Sequence, residues 1–463
     1  MKVIKKIFGV ALLLALLWGG RYLWQALPII SGYGAKNMCS CVFVAGRSPE
    51  SVLAQELAKS PLNLGKFTVS YADSSVTGTV AGIASKKAIF RKGLGCTLLS
   101  ELSEEEVRQQ AFRLAAKPRV NQDTLPWPMG NQLPDSLSVP FSLPALQAVV
   151  QTAFEESNPE APQNTRAVVV LYDGQLVYEQ YAQGFDVNTP QIGWSMTKSI
   201  TSTLVGILQS QGRLEVKNLA PVAEWQADER KNITLDQLLR ASSGLAWEEN
   251  YGGPADATHM LFKSADMGAF AAKSPQGKAP DTEFYYSSGT TNIISRIVRQ
   301  TLGEEVYHAF PYEQLFYKIG MHSAVMEPDA SGTFVGSSYT FATPRDWARF
   351  GLLFYQKGQW QGEQIVPADW VSYSVTPTPP APQGEYGAQW WLNAGAKDNP
   401  ENRNMPDVPS DCFSANGFEG QRVMIIPSEK LVIVRLGLTQ SGNFDFNQFT
   451  KKIIEAVHVP AQP

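Results

Sequence analysis

The chain has 463 residues, 44% of them apolar and 18% charged, an ordinary globular balance that excludes bulk disorder. That length buries at least one large core and leaves room for a smaller accessory region. With a net charge of -4 and no basic stripe with interleaved aromatics, it offers nucleic acid no electrostatic footprint.

In chain order, the first element is a targeting pattern. Lys2, Lys5 and Lys6 precede the apolar run IFGVALLLALLW, and apolar character resumes after Arg21 in YLWQALPII. The first run has the length of a signal-peptide core and alone is short for a membrane span. The small-x-small site Gly32-Tyr33-Gly34 lies far downstream, so an uncleaved anchor over residues 1–35 is preferred to a cleaved signal. Either puts the bulk of the chain outside the cytoplasm, periplasmic or at the cell surface, with the lysines inside. A buried N-terminal helix is the remaining alternative. Cys39, in KNMC, has no lipobox-like setting.

Residues 36–135 read as a small α/β region ending in a linker. SVLAQELA reads as a helix, and KFTVSYA, SVTGTVAGIASKKAIFRKG and GCTLL as strands. SEEEVRQQAFRLAA reads as a full helix, with Ser103 as N-cap and acids in its first turn. The stretch 118–140 is rich in Pro, Asn and Asp and reads as the linker. In an oxidising compartment a bridge from Cys96 to Cys39 or Cys41 is expected, with Cys412 a buried free thiol.

Residues 136–463 read as one long domain. LPALQAVVQTAFEES is an amphipathic helix, and RAVVVLYDGQLVYEQYA a hairpin turning at Asp173-Gly174. LDQLLRAS and TTNIISRIVRQTLG are helical. RVMIIPS and KLVIVRLGL return to strand before the helix FNQFTKKIIEAVH. Strands at both ends with helices between imply one sheet built from both ends of the domain, plus a helical insertion.

Three clusters carry chemistry. In GWSMTKSITSTLVGILQSQGRL, Ser195 and Lys198 stand three apart at a loop-to-helix junction and so share a helix face. Burial and the helix N-terminus both push a lysine toward the neutral amine, which can take the serine proton and make a nucleophile. A chance surface serine beside a snorkelling lysine gives the same spacing. In FYYSSGTTNIISRIV, a phenol held near a lysine can be drawn toward phenolate and relay protons; packing tyrosines are the plainer reading. In FSANGFEGQRVMIIP, glycines let backbone approach a ligand, and strand N–H groups there could steady an oxyanion. His259, His308, His322 and His458 form no metal motif, G-x-S-x-G is absent, and no phosphate loop occurs.

These clusters, in this order, resemble the β-lactamase and penicillin-recognising serine hydrolases, whose signatures are S-x-x-K, Y-x-N and K-T-G or H-x-G. The likeness is strongest to class C-related enzymes of the 6-aminohexanoate-dimer hydrolase type, and it spans residue 140 to the end. It implies an α+β fold, an antiparallel sheet flanked by helices beside an all-α subdomain. It implies Ser195 as acylated nucleophile, Lys198 as its base and Tyr286 as proton relay. The N–H groups of Ser195 and Phe418 would form the oxyanion hole, with Ser288, Asn416 and Gly417 meeting substrate. No cofactor or metal is implied. Ser288 stands where the family has Asn, and Ala415 where it has a cation or imidazole that holds a substrate carboxylate. This points to amide or ester hydrolysis of a small molecule over β-lactamase or D-Ala-D-Ala peptidase work, with Arg422 a weak replacement for the charge. A non-catalytic binding or sensor protein is the alternative of another class. Trp194, Tyr251, Trp390 and Trp391 are candidates to line an apolar cleft, with core packing the equal reading for each. Oligomeric state is not legible.

Overall fold

The computed structural model describes residues 2–137 and 139–460; Met1, Ser138 and residues 461–463 lie outside it, as do the side chains of Lys2 and Val3. Helix α1 (Lys2–Phe43) runs straight through residue 35. Its first half is apolar and exposed, with Trp18 72% and Trp24 82% accessible, and is long and apolar enough to cross a membrane. From Ile30 to Val42 the same helix is almost entirely buried in protein.

The buried half lies on an antiparallel meander of β1 (Gly65–Ser70), β2 (Ser75–Val80), β3 (Ala84–Arg91) and β4 (Gly95–Leu98). The approach is close: a Cβ on Gly78 would stand 2.5 Å from the Ser31 carbonyl. Two further ties fix α1. Of the two cysteines open to Cys96, Cys39 forms the disulfide, while Cys41 and Cys412 stay buried thiols. The Lys36 ammonium meets the Glu327 carboxylate, which also accepts from Ser40 Oγ at 2.9 Å and the Cys96 N–H at 2.6 Å. The bridge closes 57 residues of chain. Cys39→Ala is expected to cost about 2–4 kcal/mol by loosening the unfolded chain. Thermal unfolding should show the same fall for wild type in reductant and no further fall for the variant.

SEEEVRQQAFRLAA departs from expectation. The Ser103–Glu106 capping box forms, but only Glu104–Gln109 is helical. Tertiary bonds outweigh helix propensity from Gln110 on. Its side chain accepts from Arg91 and donates to the Ala330 carbonyl, and Phe112 stacks on His308 at 3.7 Å.

The larger region begins with α2 (Leu143–Thr152) and the hairpin β5 (Thr165–Tyr172) to β6 (Gln175–Tyr181). Asp173 and Gly174 turn it with φ of 48° and 78°, the left-handed pair that suits strand twist. The chain then builds the helical part around α3 (Met196–Ser210), α4 (Ser288–Leu302) and α5 (Pro344–Tyr355). It returns as β7 (Trp391–Leu392), β8 (Phe413–Gly417), β9 (Gln421–Ile426) and β10 (Leu431–Gly437), and ends in α6 (Phe446–Val457). The sheet order is β7-β8-β9-β10-β5-β6, with every neighbour antiparallel. Strand alternation makes two apolar faces. Val432, Val434 and Leu436 join the core that holds α3 and α5, while Leu431 and Ile433 join the one that holds α2 and α6. Burying each such side chain stabilises by about 1.5–3 kcal/mol. The expected antiparallel sheet flanked by helices, beside a helical subdomain, is therefore the observed fold.

Candidate active site

The seam between sheet and helices is set by backbone. Gly193 donates to the Thr340 carbonyl at 2.8 Å, and Trp194 then turns through a left-handed φ of 47°. That conformation is costly for a bulky residue and is held by its neighbours. Ser195 follows as the N-cap of α3. Opposite it, β8 ends at Gly417, where a Cβ would fall 2.0 Å from the Gly193 carbonyl. Only glycine lets the strand end come so near the serine loop.

Lys198, on the first turn of α3, is buried. Its Nζ lies 3.1 Å from Ser195 Oγ, 2.9 Å from Ser288 Oγ and 3.1 Å from the Ser337 carbonyl. Burial pulls the amine down to about 8, against the opposing pull of the Glu249 carboxylate. The Tyr286 ring centre is 4.8 Å from Nζ. Burial, then Glu249, raise the Tyr286 pKa. The phenol thus keeps its proton at neutral pH, opposite to the drift toward phenolate that a nearby lysine suggests.

Ser288 differs from its expected part. Its hydroxyl receives from Lys198, lies 2.5 Å from Glu249 Oε1 and touches the Tyr251 hydroxyl at 3.0 Å. It is a bridge inside the site rather than a free donor. Glu249 is the residue that motif reading missed. Its carboxylate takes the Trp247 indole N–H (2.6 Å), the Ser288 N–H (2.9 Å), the Ser288 hydroxyl and the Tyr251 hydroxyl (2.7 Å). The stretch WEENY offered no spacing signal, because Ser288, the partner that joins Glu249 to the site, lies 39 residues away.

A cavity of about 870 Å³ opens over Ser195, with Trp194, Tyr251, Asn416, Gly417 and Phe418 in its wall. Asn416 Oδ1 is buried without a protein partner, and the half-exposed Phe418 ring stands edge-on to Trp194 at 5.8 Å. Arg422 also lines it, with its guanidinium 3.7 Å over the Phe446 ring. Trp194 and Tyr251 thus do line the cleft. Trp390 does not: it is fully buried against Phe354 and Phe413, and Trp391 packs on Tyr286.

Residues 161–457 match the beta-lactamase family. The 6-aminohexanoate-dimer hydrolase of Paenarthrobacter ureafaciens is 24% identical over 298 residues, 59% of this chain and 72% of that protein. Among solved structures, a candidate 6-aminohexanoate-dimer hydrolase from Bacillus anthracis superposes with a TM-score of 0.53 and 21% identity, over 73% of this chain and 89% of that one. A family VIII carboxylesterase does so with a TM-score of 0.53 and 15% identity, over 68% and 95%. The family match covers more than half of the chain and contains Ser195, Lys198, Tyr286 and the β8 edge, so the protein belongs to the beta-lactamase family and is a hydrolase.

Proposed function

We propose that the protein hydrolyses amide or ester bonds through an acyl-enzyme on Ser195. The observation that carries this reading is the buried Lys198 amine 3.1 Å from Ser195 Oγ, with Ser195 itself lining a large cavity. Lys198 Nζ takes the Ser195 hydroxyl proton as Oγ bonds to the substrate carbonyl carbon. The N–H groups of Ser195 and Phe418 steady the oxyanion, in the short span where Gly417 brings β8 to the serine loop. The scissile C–N or C–O bond then breaks, and protonated Tyr286 gives its proton to the leaving group, replenished from Lys198. Water cleaves the acyl ester and restores Ser195. Asn416 Oδ1 offers an unfilled acceptor to a substrate N–H.

Arg422 favours a substrate bearing a carboxylate, as a β-lactam, a D-Ala-D-Ala peptide or a linear amide acid does. Ala415 leaves the usual anchor empty, and of the cations Lys59 and Arg422 that line the cavity, Arg422 stands on β9 directly opposite Asn416. Arg422→Met is expected to raise KM about tenfold or more for a carboxylate-bearing amide and little for a neutral ester. Steady-state kinetics on the pair separates the two.

The exposed half of α1 is assigned as an uncleaved anchor, with the catalytic region outside the cytoplasm. The test of the function is intact-mass labelling of the full chain in detergent with a fluorophosphonate. One adduct on wild type and none on Ser195→Ala supports it. No adduct on folded wild type, or equal labelling of the variant, sinks it and favours a binding protein.

The acid limb gives a second check. The amine must be neutral to act as base, so kcat/KM for a small ester should rise with pH through about 8. Glu249 holds the ammonium form, so Glu249→Gln should shift that limb to lower pH. A limb that stays or moves upward contradicts the assignment of Lys198 as base.

A further inference from the structure

Part of the cavity wall is not supplied by the β-lactamase-like region. It comes from α1, through Tyr22, Ala26, Ile29, Ile30 and Tyr33, and from within residues 55–62. The α1 positions step by four, three, one and three, so they form one continuous helix face. The face has two fixed ends. At one end Tyr33 stacks on Trp194, the neighbour of Ser195, with ring centres 6.2 Å apart. At the other end Tyr22 stacks on the exposed Trp18, beside Arg21 and the exposed Trp24. A helix from Ile4 to Trp24 spans about 30 Å, the thickness of a bilayer core, and Trp, Tyr and Arg gather where such a span leaves the lipid. The stripe therefore leads from the bilayer edge to the nucleophile, over roughly 16 Å of helix rise. Polar groups of the same cavity come from Asn416, Arg422 and Gln440.

We propose that the substrate is an amphiphile of the membrane surface, an ester or amide whose apolar acyl chain lies along this stripe of α1 while its polar remainder faces Arg422 and Asn416. This rests on the acyl-enzyme reading above and names the substrate class of that site. The carbonyl reaches Ser195 with its chain pointing back to the bilayer edge, the acyl group passes to Ser195 Oγ, and the polar portion leaves with the proton from Tyr286.

The test uses the full chain in phosphatidylcholine nanodiscs and the p-nitrophenyl esters of acetate, butyrate, octanoate and decanoate. For wild type, kcat/KM for decanoate should exceed that for acetate by about tenfold or more, since each buried methylene adds to binding. Ala26→Trp, which fills the stripe, and Ile29→Ser, which makes it polar, should each cut the decanoate-to-acetate ratio severalfold. Partition of long esters into the disc is common to all three proteins, so the change in ratio reports the stripe. Turnover of acetate with a ratio near one, or a ratio that neither variant moves, overturns the amphiphile proposal and leaves the serine hydrolase standing. No turnover of any ester together with no fluorophosphonate adduct overturns both.

Discussion

Ser195→Ala is expected to remove acyl-enzyme formation and to lower kcat/KM for any substrate by about 10⁴-fold or more. Lys198→Met should cost about 10²–10⁴-fold, because the serine hydroxyl loses its base while the oxyanion donors remain. The side chain is buried, so methionine fills the space without burying a new charge, and the loss reads out the amine itself. The two losses should not add, since the residues act as one unit. Single-turnover kinetics with an activated ester checks both. Lys198→Met within a few-fold of wild type would remove the base from the mechanism. The variants must keep wild-type melting behaviour, and Ser195→Ala, at a half-buried position with a small change in volume, meets that condition most easily.

The second large effect is on stability. Lys36 and Glu327 are 2% and 0% exposed and face each other across the junction between α1 and the catalytic region. Removing one partner of a buried pair strands the other, at about 3–5 kcal/mol. Lys36→Met leaves the Glu327 carboxylate with only Ser40 and the Cys96 N–H, and Glu327→Leu leaves the ammonium with Ser40 and the face of Tyr339. Each should lower the melting temperature markedly. The double variant should recover much of the loss, since an apolar replacement of the whole pair leaves no unpaired charge. Additive losses in the double variant would show that the pair is not coupled. Denaturant or thermal unfolding of the four proteins in one detergent closes the cycle.

What the sequence shows and hides follows from distance along the chain. Ser195 and Lys198 are legible because a helix fixes their relation within four residues. The hairpin at Asp173-Gly174 is legible because its turn chemistry is local. Glu249 is silent, since the two bonds that tie it to the site come from Ser288, 39 residues on, while those from Trp247 and Tyr251 are local and mark no motif. The helix expected after Ser103 is cut short by contacts of Gln110 and Phe112 with distant chain. Trp390 shows the same limit: a tryptophan in a motif-rich stretch reads alike for a cleft and for a core. The partition of α1 into an exposed and a buried half is equally hidden. Residues 30–42 turn more polar, with Ser31, Lys36, Asn37 and Ser40, which alone suggests emergence into water; the contacts with Glu327 and Cys96 disclose that this part is held inside the protein.

The shared cavity divides labour along the gene. The proposed catalytic groups cluster from Ser195 onward, while part of the chamber wall is written in residues 22–33, more than a hundred positions earlier. Substitutions in that early stretch can change which molecules are admitted without disturbing Ser195, Lys198 or Tyr286. On the proposal made above, the segment read as an anchor would also decide which acyl chains enter, so selectivity could change through residues far in sequence from the nucleophile.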